Sequence, residues 1–407
     1  MRLRSGLTFV LMVAFCAAGL QAQYAHTRGT EVVDAAGKPI QLKGTNLGNW
    51  MVPEGYMWRF EGGPQSPKEI EALITELLGP TRADAFWKTY REQYITREDI
   101  QFIRAQGFNS IRIPLHWKLF QTDDAEGFRL LDRAIGWCRE AGLLVVIDLH
   151  AAPGGQTGTN IDDGHGYPWL FRDEGAQQQT IDLWARIARH YRNEPAVLGY
   201  DLLNEPIPSY PGYQELHPAL EPLYKRIAQA IRTVDSHHAL ILGGAVWDGD
   251  FSVFGPPFDA NTIYQFHQYW MKIDDGTIAK FTAFRDKYNV PVWLGESGEN
   301  TDDWVTSYRT LLEKNNVGWA FWPYKKMQAT SAPVSYAPPA GWDEIVALAK
   351  LPRGDSDAAV KERLKIRPPQ ATIDATLGQL LENIRFANCQ VNAGYIHAML
   401  PNAPATK

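Results

Sequence analysis

Two glutamates end apolar segments of this sequence and could act together as a catalytic pair. Glu205 ends Tyr-Asp-Leu-Leu-Asn-Glu, and Glu296 ends Trp-Leu-Gly-Glu. Double-displacement cleavage of a glycoside requires one protonated and one ionised carboxyl group beside the same bond. Each residue alone has a simpler, non-catalytic explanation. Glu205, beside Pro206, could be an acidic residue at a helix N-terminus, where the helix dipole favours it, and Glu296 could form a salt bridge. Neither glutamate alone therefore predicts catalysis, and the residues that end the other segments decide between the two explanations.

Those other segments also end in polar or aromatic residues. Arg112 lies within the apolar run Asn-Ser-Ile-Arg-Ile-Pro. A buried arginine is costly without a carboxylate partner, and a nucleophile whose pKa the cation keeps low would supply one. His150, His267, Tyr269 and Trp322 follow three further runs. A lone histidine there is usually structural, but the whole set, with two glutamates, predicts an active site.

A scaffold that brings strand ends together can be predicted from the alternation of short apolar runs with longer amphipathic stretches. This alternation is typical of repeated βα units. Eight such strands close an α/β fold, the (β/α)8 TIM barrel, whose active sites lie at the carboxyl ends of the strands. The predicted strands are Leu42–Leu47, Ser110–Leu115, Leu143–Leu149, Val197–Leu203, Ala239–Gly243, Thr262–Gln268, Val290–Gly295 and Gly318–Tyr324.

Amphipathic stretches between these strands predict helices that face the sheet. They are Thr96–Gln106, Arg129–Ala141, Thr180–Tyr191 and Glu221–Val234. A short N-terminal β-hairpin is predicted over Glu31–Ile40, with its turn at Ala36-Gly37, and would cover the barrel floor.

Three segments exceed a minimal barrel. Trp50–Tyr94 is an insertion after the first strand, and Ala151–Arg172 is a glycine-rich loop after the third. Residues 350–407 form a C-terminal helical tail, with one helix predicted over Ala371–Ala387. Long loops in compact domains are often functional.

The N-terminus has the features of a secretory signal. Arg2 and Arg4 precede an apolar run, and small residues approach a cut after Ala22. We expect residues 1–22 to be removed and the product to be secreted or periplasmic, with no membrane span in the mature chain. Residues 23–407 are then one catalytic barrel domain, with 350–407 an extension packed on it.

Composition excludes several classes. Hydrophobic residues make up 45% and charged residues 21%, as in a globular protein, and a net charge of −6 without basic clusters argues against a nucleic-acid partner.

Cys138 and Cys389 could form one disulfide or remain two buried thiols. Asp162 and Asp163 lack the periodicity of a calcium loop, so no metal is implied there. We expect no cofactor. We expect a monomer. The 14 Trp, 17 Tyr and 17 Phe would suit a ligand with flat apolar faces, such as a sugar.

The sequence resembles glycoside hydrolase family 5 from about Glu31 to Lys350. The resemblance includes Gly-Lys-Pro-Ile-Gln-Leu-Lys-Gly-Thr-Asn at 37–46 and all eight recurrent active-site positions of the family. These positions are Arg112, His150, Asn204, Glu205, His267, Tyr269, Glu296 and Trp322. The match implies a retaining hydrolase that cleaves β-glycosidic bonds of an oligo- or polysaccharide, and the N-terminal signal predicts that it is secreted.

The resemblance also implies a role for each residue. Glu205 would be the acid/base and Glu296 the nucleophile, with carboxyl groups about 5–5.5 Å apart. Arg112 and Tyr269 would hold Glu296 ionised, and His267 would tune Glu205. The remaining three would contact the reacting sugar, which occupies the −1 subsite. Asn204 would bind its 2-hydroxyl, Trp322 would form an apolar floor beneath it, and His150 would also contact it.

Local motifs are most similar to the exo-β-1,3-glucanase and related branches of the family. These motifs are Leu47-Gly-Asn-Trp50, the loop from Leu149 to Gln156, and Trp322-Pro-Tyr-Lys-Lys. Trp50 and Trp247 follow strands one and five and are predicted to contact substrate. A transglycosylase with the same residues and a catalytically silent carbohydrate-binding barrel remain alternatives. A metal-dependent hydrolase would need His-x-His after the first strand, where Thr45-Asn46-Leu47 stands.

Overall fold

The computed structural model describes residues 24–159, 161–354 and 356–404. The predicted signal peptide, residues 1–22, lies outside the described residues. Within those ranges, no helix has the length and apolar character needed to cross a membrane.

A short antiparallel hairpin precedes the barrel. Its strands are β1 (His26–Arg28) and β2 (Glu31–Val33), joined through Gly29, which has a φ of 59°. An N-terminal hairpin is present as predicted, but its bounds differ from the predicted Glu31–Ile40, because the strand that pairs with Glu31–Val33 is His26–Arg28. Beyond Val33, only one bridge forms, to Pro39, whose missing N–H cannot extend a ladder.

The hairpin covers the amino-terminal end of the barrel. Ala25 and Val32 are buried in one apolar cluster with Leu198 and Trp293, which project from barrel strands. Because this end is filled by side chains, the opposite end is the one available for a ligand.

Eight parallel strands close the central barrel, and the last strand pairs with the first. With the surrounding helices, this arrangement confirms the predicted (β/α)8 TIM barrel. The barrel strands are β3 (Lys43–Asn46), β4 (Ser110–His116), β5 (Leu144–Ala151), β6 (Val197–Asp201), β7 (Ala239–Gly243), β8 (Thr262–His267), β9 (Val292–Glu296) and β10 (Gly318–Phe321). Each overlaps one predicted run.

A smaller sheet lies beside the barrel and consists of β11 (Lys325–Met327), β12 (Val334–Tyr336) and β13 (Gln390–Val391). The helices of the described residues are α1 (Pro67–Leu78), α2 (Pro80–Tyr94), α3 (Arg97–Gln106), α4 (Glu126–Ala141), α5 (Glu174–Tyr191), α6 (His217–Arg232), α7 (Ala279–Tyr288), α8 (Asp302–Lys314), α9 (Trp342–Lys350), α10 (Asp357–Ile366), α11 (Gln370–Asn383) and α12 (Ala393–Met399).

Local sequence explains several helix ends. Thr96 and Asp99 form a capping box at the start of α3, and Gly107, with a φ of 107°, ends it. Helix α5 begins at Glu174, earlier than the predicted Thr180. The side chain of Asp173 caps this end, because it accepts hydrogen bonds from the backbone N–H groups of Gly175 and Ala176.

The insertion after β3 contributes packing. Trp58 is fully buried, and its ring lies 5.1 Å from that of Tyr90 in α2 and 6.1 Å from that of Trp342 in α9. Much of the aromatic excess is therefore core, as is usual for large rings.

The C-terminal region contains more helix than the one predicted segment. Helix α11 occupies most of that segment, while α10 and α12 were missed. Helix α11 contacts α1 and α2, and α12 contacts α8. Cys138 and Cys389 are free thiols, so the disulfide alternative does not apply.

Candidate active site

The predicted residues converge at the carboxyl end of the barrel. Arg112 lies in β4, His150 in β5, His267 at the end of β8 and Glu296 at the end of β9. Asn204, Glu205, Tyr269 and Trp322 lie in the turns that directly follow β6, β8 and β10. Parallel strands place all these ends at one rim, so residues distant in sequence share one site.

A cleft of about 540 Å³ opens at this rim, within the size range of small-molecule sites. Its lining residues are Glu54, Tyr56, His150, Ile161, Asn204, Glu205, Val246, Trp247, His267, Tyr269, Trp270, Glu296, Glu299 and Trp322. A larger groove of about 1060 Å³ lies against α1 and α10 and contains none of the predicted residues.

Arg112 is completely buried beneath the cleft. It donates hydrogen bonds to Glu296 and, from Nε, to Asp201 at 2.7 Å, and its Nη2 lies 3.1 Å from Asp148. One cation therefore faces three carboxylates. Burial raises the pKa of Asp148 and of Asp201 to about 7, although Arg112 opposes the rise. The sequence pattern predicts one carboxylate partner for Arg112, Glu296, and gives no sign of Asp148 and Asp201 as the other two.

Glu296 is held at both oxygens. Arg112 donates to Oε1, and the Tyr269 hydroxyl donates to Oε2 at 3.1 Å. Burial raises the pKa of Glu296, while the charge of Arg112 acts in the opposite direction. These two hydrogen bonds orient the carboxylate and offset part of the free-energy cost of removing it from water.

Glu205 has a different environment. Burial, followed by the charges of Glu296 and Glu54, raises its pKa well above the usual range. Nδ1 of His267 lies 3.0 Å from its Oε1. No cation among the described residues contacts Glu205 directly, so its protonated form is favoured more than that of Glu296.

His150 and Trp322 form a stacked pair with ring centroids 5.3 Å apart and planes 1° apart. Burial lowers the pKa of His150 to about 3, so the ring is neutral. Trp322 donates from Nε1 to the Tyr56 hydroxyl at 2.7 Å. Gly48 makes room for the indole, because a Cβ there would lie 2.5 Å from the ring.

The side-chain amide of Asn204 is hydrogen-bonded at its oxygen but not at its nitrogen. Its Oδ1 accepts a hydrogen bond from Arg112 at 2.9 Å, which fixes the orientation of the group. Its buried Nδ2 finds no hydrogen-bond partner among the described residues. A buried, unpaired donor that lines a cleft is suited to bind a ligand oxygen.

Trp50 does not line the cleft, contrary to the sequence prediction. It is 1% exposed, and its indole Nε1 donates to the carbonyl of Arg91 in α2 at 2.7 Å. The insertion after β3 supplies that partner and covers the ring. Trp247, the other tryptophan predicted to contact substrate because it follows a barrel strand, does line the cleft.

Other cleft residues were not recognised from the sequence. Glu54 is buried, and its Oε1 has no hydrogen-bond partner in the described chain. Tyr56 and Glu299 lie beside it, and Lys326 pairs with Glu299 at 2.6 Å. The acidic Glu54 just after an apolar run, Met51-Val52-Pro53, was the available signal for this part of the site.

Asp248 was missed as well. It is fully buried, its Oδ2 lies 3.3 Å from Nε2 of His267, and it accepts a hydrogen bond from the backbone N–H of Glu205 at 3.3 Å. A Cβ on Gly243 would lie 1.8 Å from Asp248, so that glycine makes room for the carboxyl group.

The catalytic pair and His267 could also be considered as metal ligands. One ligand atom from each of Glu205, His267 and Glu296 lies within 4.8 Å of the other two. Coordination would require an ionised Glu205, because a carboxyl group binds a metal ion in its deprotonated form.

A (β/α)8 barrel with two carboxyl groups in contrasting environments at its rim defines a class of barrel enzymes that act on glycosidic bonds. The profile of Cellulase (glycosyl hydrolase family 5) matches residues 68–328, and the chain belongs to this family. It is therefore a glycoside hydrolase, and its substrate is a carbohydrate.

Similar proteins include two curated relatives and one solved structure. A β-xylosidase of Phanerodontia chrysosporium is 31% identical over 345 residues, covering 74% of this chain and 71% of the relative. A probable glucan 1,3-β-glucosidase A of Aspergillus fumigatus is 31% identical over 280 residues, covering 64% and 66%. The crystal structure of rutinosidase from Aspergillus niger, at 17% identity, has a TM-score of 0.58 and covers 72% of this chain and 92% of that one, which shows the shared fold.

Proposed function

We propose that this protein cleaves β-glycosidic bonds of a β-glucan or related β-linked glycan with retention of configuration. The observation that carries the proposal is the spacing of the catalytic pair. A carboxyl oxygen of Glu205 lies within 4.8 Å of one of Glu296. Retaining enzymes separate these groups by about 5–5.5 Å, whereas inverting enzymes leave about 6.5–9.5 Å for a water molecule. The spacing supports direct attack on the sugar.

The two steps follow from the two environments. In the first, the ionised Glu296 attacks the anomeric carbon while Glu205 gives its proton to the departing oxygen, so the C–O bond breaks as the glycosyl-enzyme bond forms. In the second, Glu205 takes a proton from water, the water oxygen bonds to the same carbon, and Glu296 leaves as a carboxylate. The difference between the pKa values of the pair supports this division of roles.

Three neighbours are assigned to the reacting sugar. The free Nδ2 of Asn204 is placed to donate to the 2-hydroxyl, a contact that strengthens as positive charge develops on the ring. Trp322 provides an apolar surface, and His150, neutral and stacked on it, supplies a ring nitrogen at the same wall. Tyr269 keeps Glu296 aligned for attack.

The substrate class rests on the relatives. One is named a β-xylosidase and another a glucan 1,3-β-glucosidase. Both names specify a β-linked sugar, and the mixed polar and aromatic lining of the cleft suits a pyranose ring.

The test is product analysis by chromatography after incubation with laminarin, lichenan, carboxymethyl cellulose, glucomannan and aryl β-glucosides and β-xylosides. We expect sugar release from at least one of them, with the first product in the β configuration when followed by NMR. Glu296→Ala is expected to reduce release to background. Glu362→Gln, an exposed change on α10, is the matched control and should retain full activity.

No release from any β-glycoside, with Glu296→Ala equal to the native enzyme, would overturn the proposal. A first product in the α configuration would leave hydrolysis standing but remove the assignment of Glu296 as nucleophile.

We also propose that residues 1–22 are removed on export, that the mature enzyme is secreted or periplasmic, and that it works as a monomer. Arg2, Arg4 and the apolar run that follows support the signal. N-terminal sequencing of exported protein and size-exclusion chromatography would test these statements.

A further inference from the structure

Five aromatic rings form a continuous row that starts in the catalytic cleft and runs onto the surface. We call this row the aromatic strip; its members are Trp247, Tyr210, Tyr213, Tyr167 and Trp169. Successive ring centroids lie 5.5, 5.6, 5.4 and 5.0 Å apart in that order. Trp247 lines the cleft, whereas Trp169 is 46% exposed and Tyr210 is 41% exposed.

The strip lies on the side of the leaving group. Tyr210 and Tyr213 belong to the loop that follows β6 and carries Glu205, and Trp247 belongs to the turn whose Asp248 accepts a hydrogen bond from the Glu205 backbone. An acid must face the oxygen that departs, so the sugar residues beyond the cleaved bond extend past Glu205. The strip therefore continues the cleft in the direction of the aglycone.

The central rings are fixed in place. The Tyr213 hydroxyl donates to the carbonyl of Gly166 at 3.3 Å, and the Tyr167 hydroxyl donates to Glu215 at 3.3 Å. In the loop that carries Tyr167, Asp162 accepts hydrogen bonds from the backbone N–H groups of Gly158 at 3.0 Å and Gly164 at 2.8 Å. Rings that are held in place before a ligand arrives cost less entropy to engage.

The outer rings keep their polar atoms available. Among the described residues, no side chain or backbone group forms a hydrogen bond with the Tyr210 hydroxyl or the Trp169 indole N–H, and the indole N–H of Trp247, at the cleft, is also without one. A ring with one apolar face and one free donor suits a sugar, which presents C–H groups on its faces and hydroxyls at its edge. Contiguous exposed apolar area of this kind commonly marks a binding surface.

We propose that the aromatic strip binds the sugar residues on the aglycone side of a polymeric or oligomeric β-glycan. This inference rests on the proposed function and adds to it that the leaving group is a glycan chain, with subsites beyond the catalytic cleft. A monosaccharide glycoside with a small aryl leaving group reaches Trp247 at most and leaves the outer rings empty.

The experiment compares two kinds of substrate in Tyr210→Ala, Trp169→Ala and the double variant. One is an aryl β-glycoside of a single sugar, and the other is a series of β-1,3-linked gluco-oligosaccharides from disaccharide to heptasaccharide, or the matching series for the polymer that product analysis selects. We expect kcat/KM on the longer oligosaccharides to fall about tenfold for each removed ring, mainly through KM. Activity on the aryl glycoside should stay within twofold.

Trp137→Ala is the matched control, because Trp137 is a half-buried surface tryptophan on α4, outside the cleft and the strip. Equal dependence on chain length in the native enzyme and the double variant would overturn the proposal. A loss of equal size on the aryl glycoside would also overturn it, since it would mean that the rings only support the fold. Inactivity of the native enzyme on every β-glycoside would instead contradict the proposed function.

Discussion

Nδ1 of His267 lies 3.0 Å from Oε1 of Glu205, within hydrogen-bond distance of the carboxyl group that is proposed to move the proton. Burial and the charge of Arg112 lower the pKa of His267 well below its usual range, so the ring is neutral. A neutral imidazole carries one N–H and one lone pair. With its N–H on Nε2, which faces Asp248, the ring accepts at Nδ1 from protonated Glu205; only the other tautomer, with the proton on Nδ1, donates to the Glu205 carboxylate.

Glu205→Ala should separate acid catalysis from nucleophilic attack. Because the acid assists only poor leaving groups, kcat/KM on an alkyl or sugar leaving group should fall by about 10²–10⁴-fold, and on a dinitrophenyl glycoside much less. In the native enzyme, activity is lost as the pH rises through the elevated pKa of Glu205, since the proton is then gone. pH–rate profiles on the activated glycoside should lack this alkaline limb in the variant, and an unchanged limb would contradict the assignment.

Arg112→Lys should destabilise the protein and slow catalysis together. The guanidinium contacts three carboxylates through different nitrogens, and an ammonium cannot reproduce this planar geometry. Leaving buried charges poorly paired costs about 3–5 kcal/mol of folding free energy. Urea unfolding measures the loss. Arg129→Lys, at a half-exposed ion pair with Glu92, should change stability by about 0.5 kcal/mol or less.

Gly48→Ala should disturb the reacting-sugar site without touching a titrating group. A methyl group at this position would lie 2.5 Å from the Trp322 ring, so the indole must shift from the position in which it stacks on His150. We expect a higher KM on aryl glycosides and a changed tryptophan fluorescence. Gly136→Ala in α4, where a Cβ meets only one flexible side chain at 4.0 Å, should leave KM unchanged and stabilise the helix by about 0.5–1 kcal/mol.

Asp235→Asn should lower stability at neutral pH and matter less in acid. Burial alone would raise the pKa of Asp235, but His238, at 2.6 Å, and the Tyr200 hydroxyl lower it to about 2. The unfolded value is about 3.9, so the ionised group stabilises the fold fully above that pH and progressively less as pH falls towards 2. Unfolding free energies at pH 7 and pH 3 should show a smaller difference between variant and native protein at pH 3.

Trp50→Phe should lower stability, whereas Trp322→Phe should raise KM. Trp50 loses its hydrogen bond to the Arg91 carbonyl, which leaves that buried acceptor unpaired and costs about 1–3 kcal/mol of stability, with KM unchanged. Trp322 lines the cleft, so its replacement should raise KM. Thermal unfolding and steady-state kinetics on one aryl glycoside measure both. A raised KM in Trp50→Phe would restore the original prediction of a substrate contact.

The sequence by itself determined the barrel and the residues at its rim. A run of apolar residues predicts a strand, and the parallel arrangement fixes which end faces the site, so Glu205, His267 and Glu296 could be placed together from local pattern alone. Each of them ends or directly follows a strand, where the position in the strand sets the location of the side chain.

Tertiary structure decided what the loops contribute. Asp248 reaches His267 through a turn in which Val246, Trp247 and Asp248 all have positive φ values, of 59°, 53° and 63°. The residue types at these positions do not predict such a conformation. Trp50 turned away from the cleft because α2, about forty residues further along the chain, supplies a carbonyl for its indole. Glu54 and the outer rings of the aromatic strip lie on loops as well. The direction of a loop side chain depends on backbone torsions and distant partners, and neither is encoded in the local pattern of apolar and polar residues.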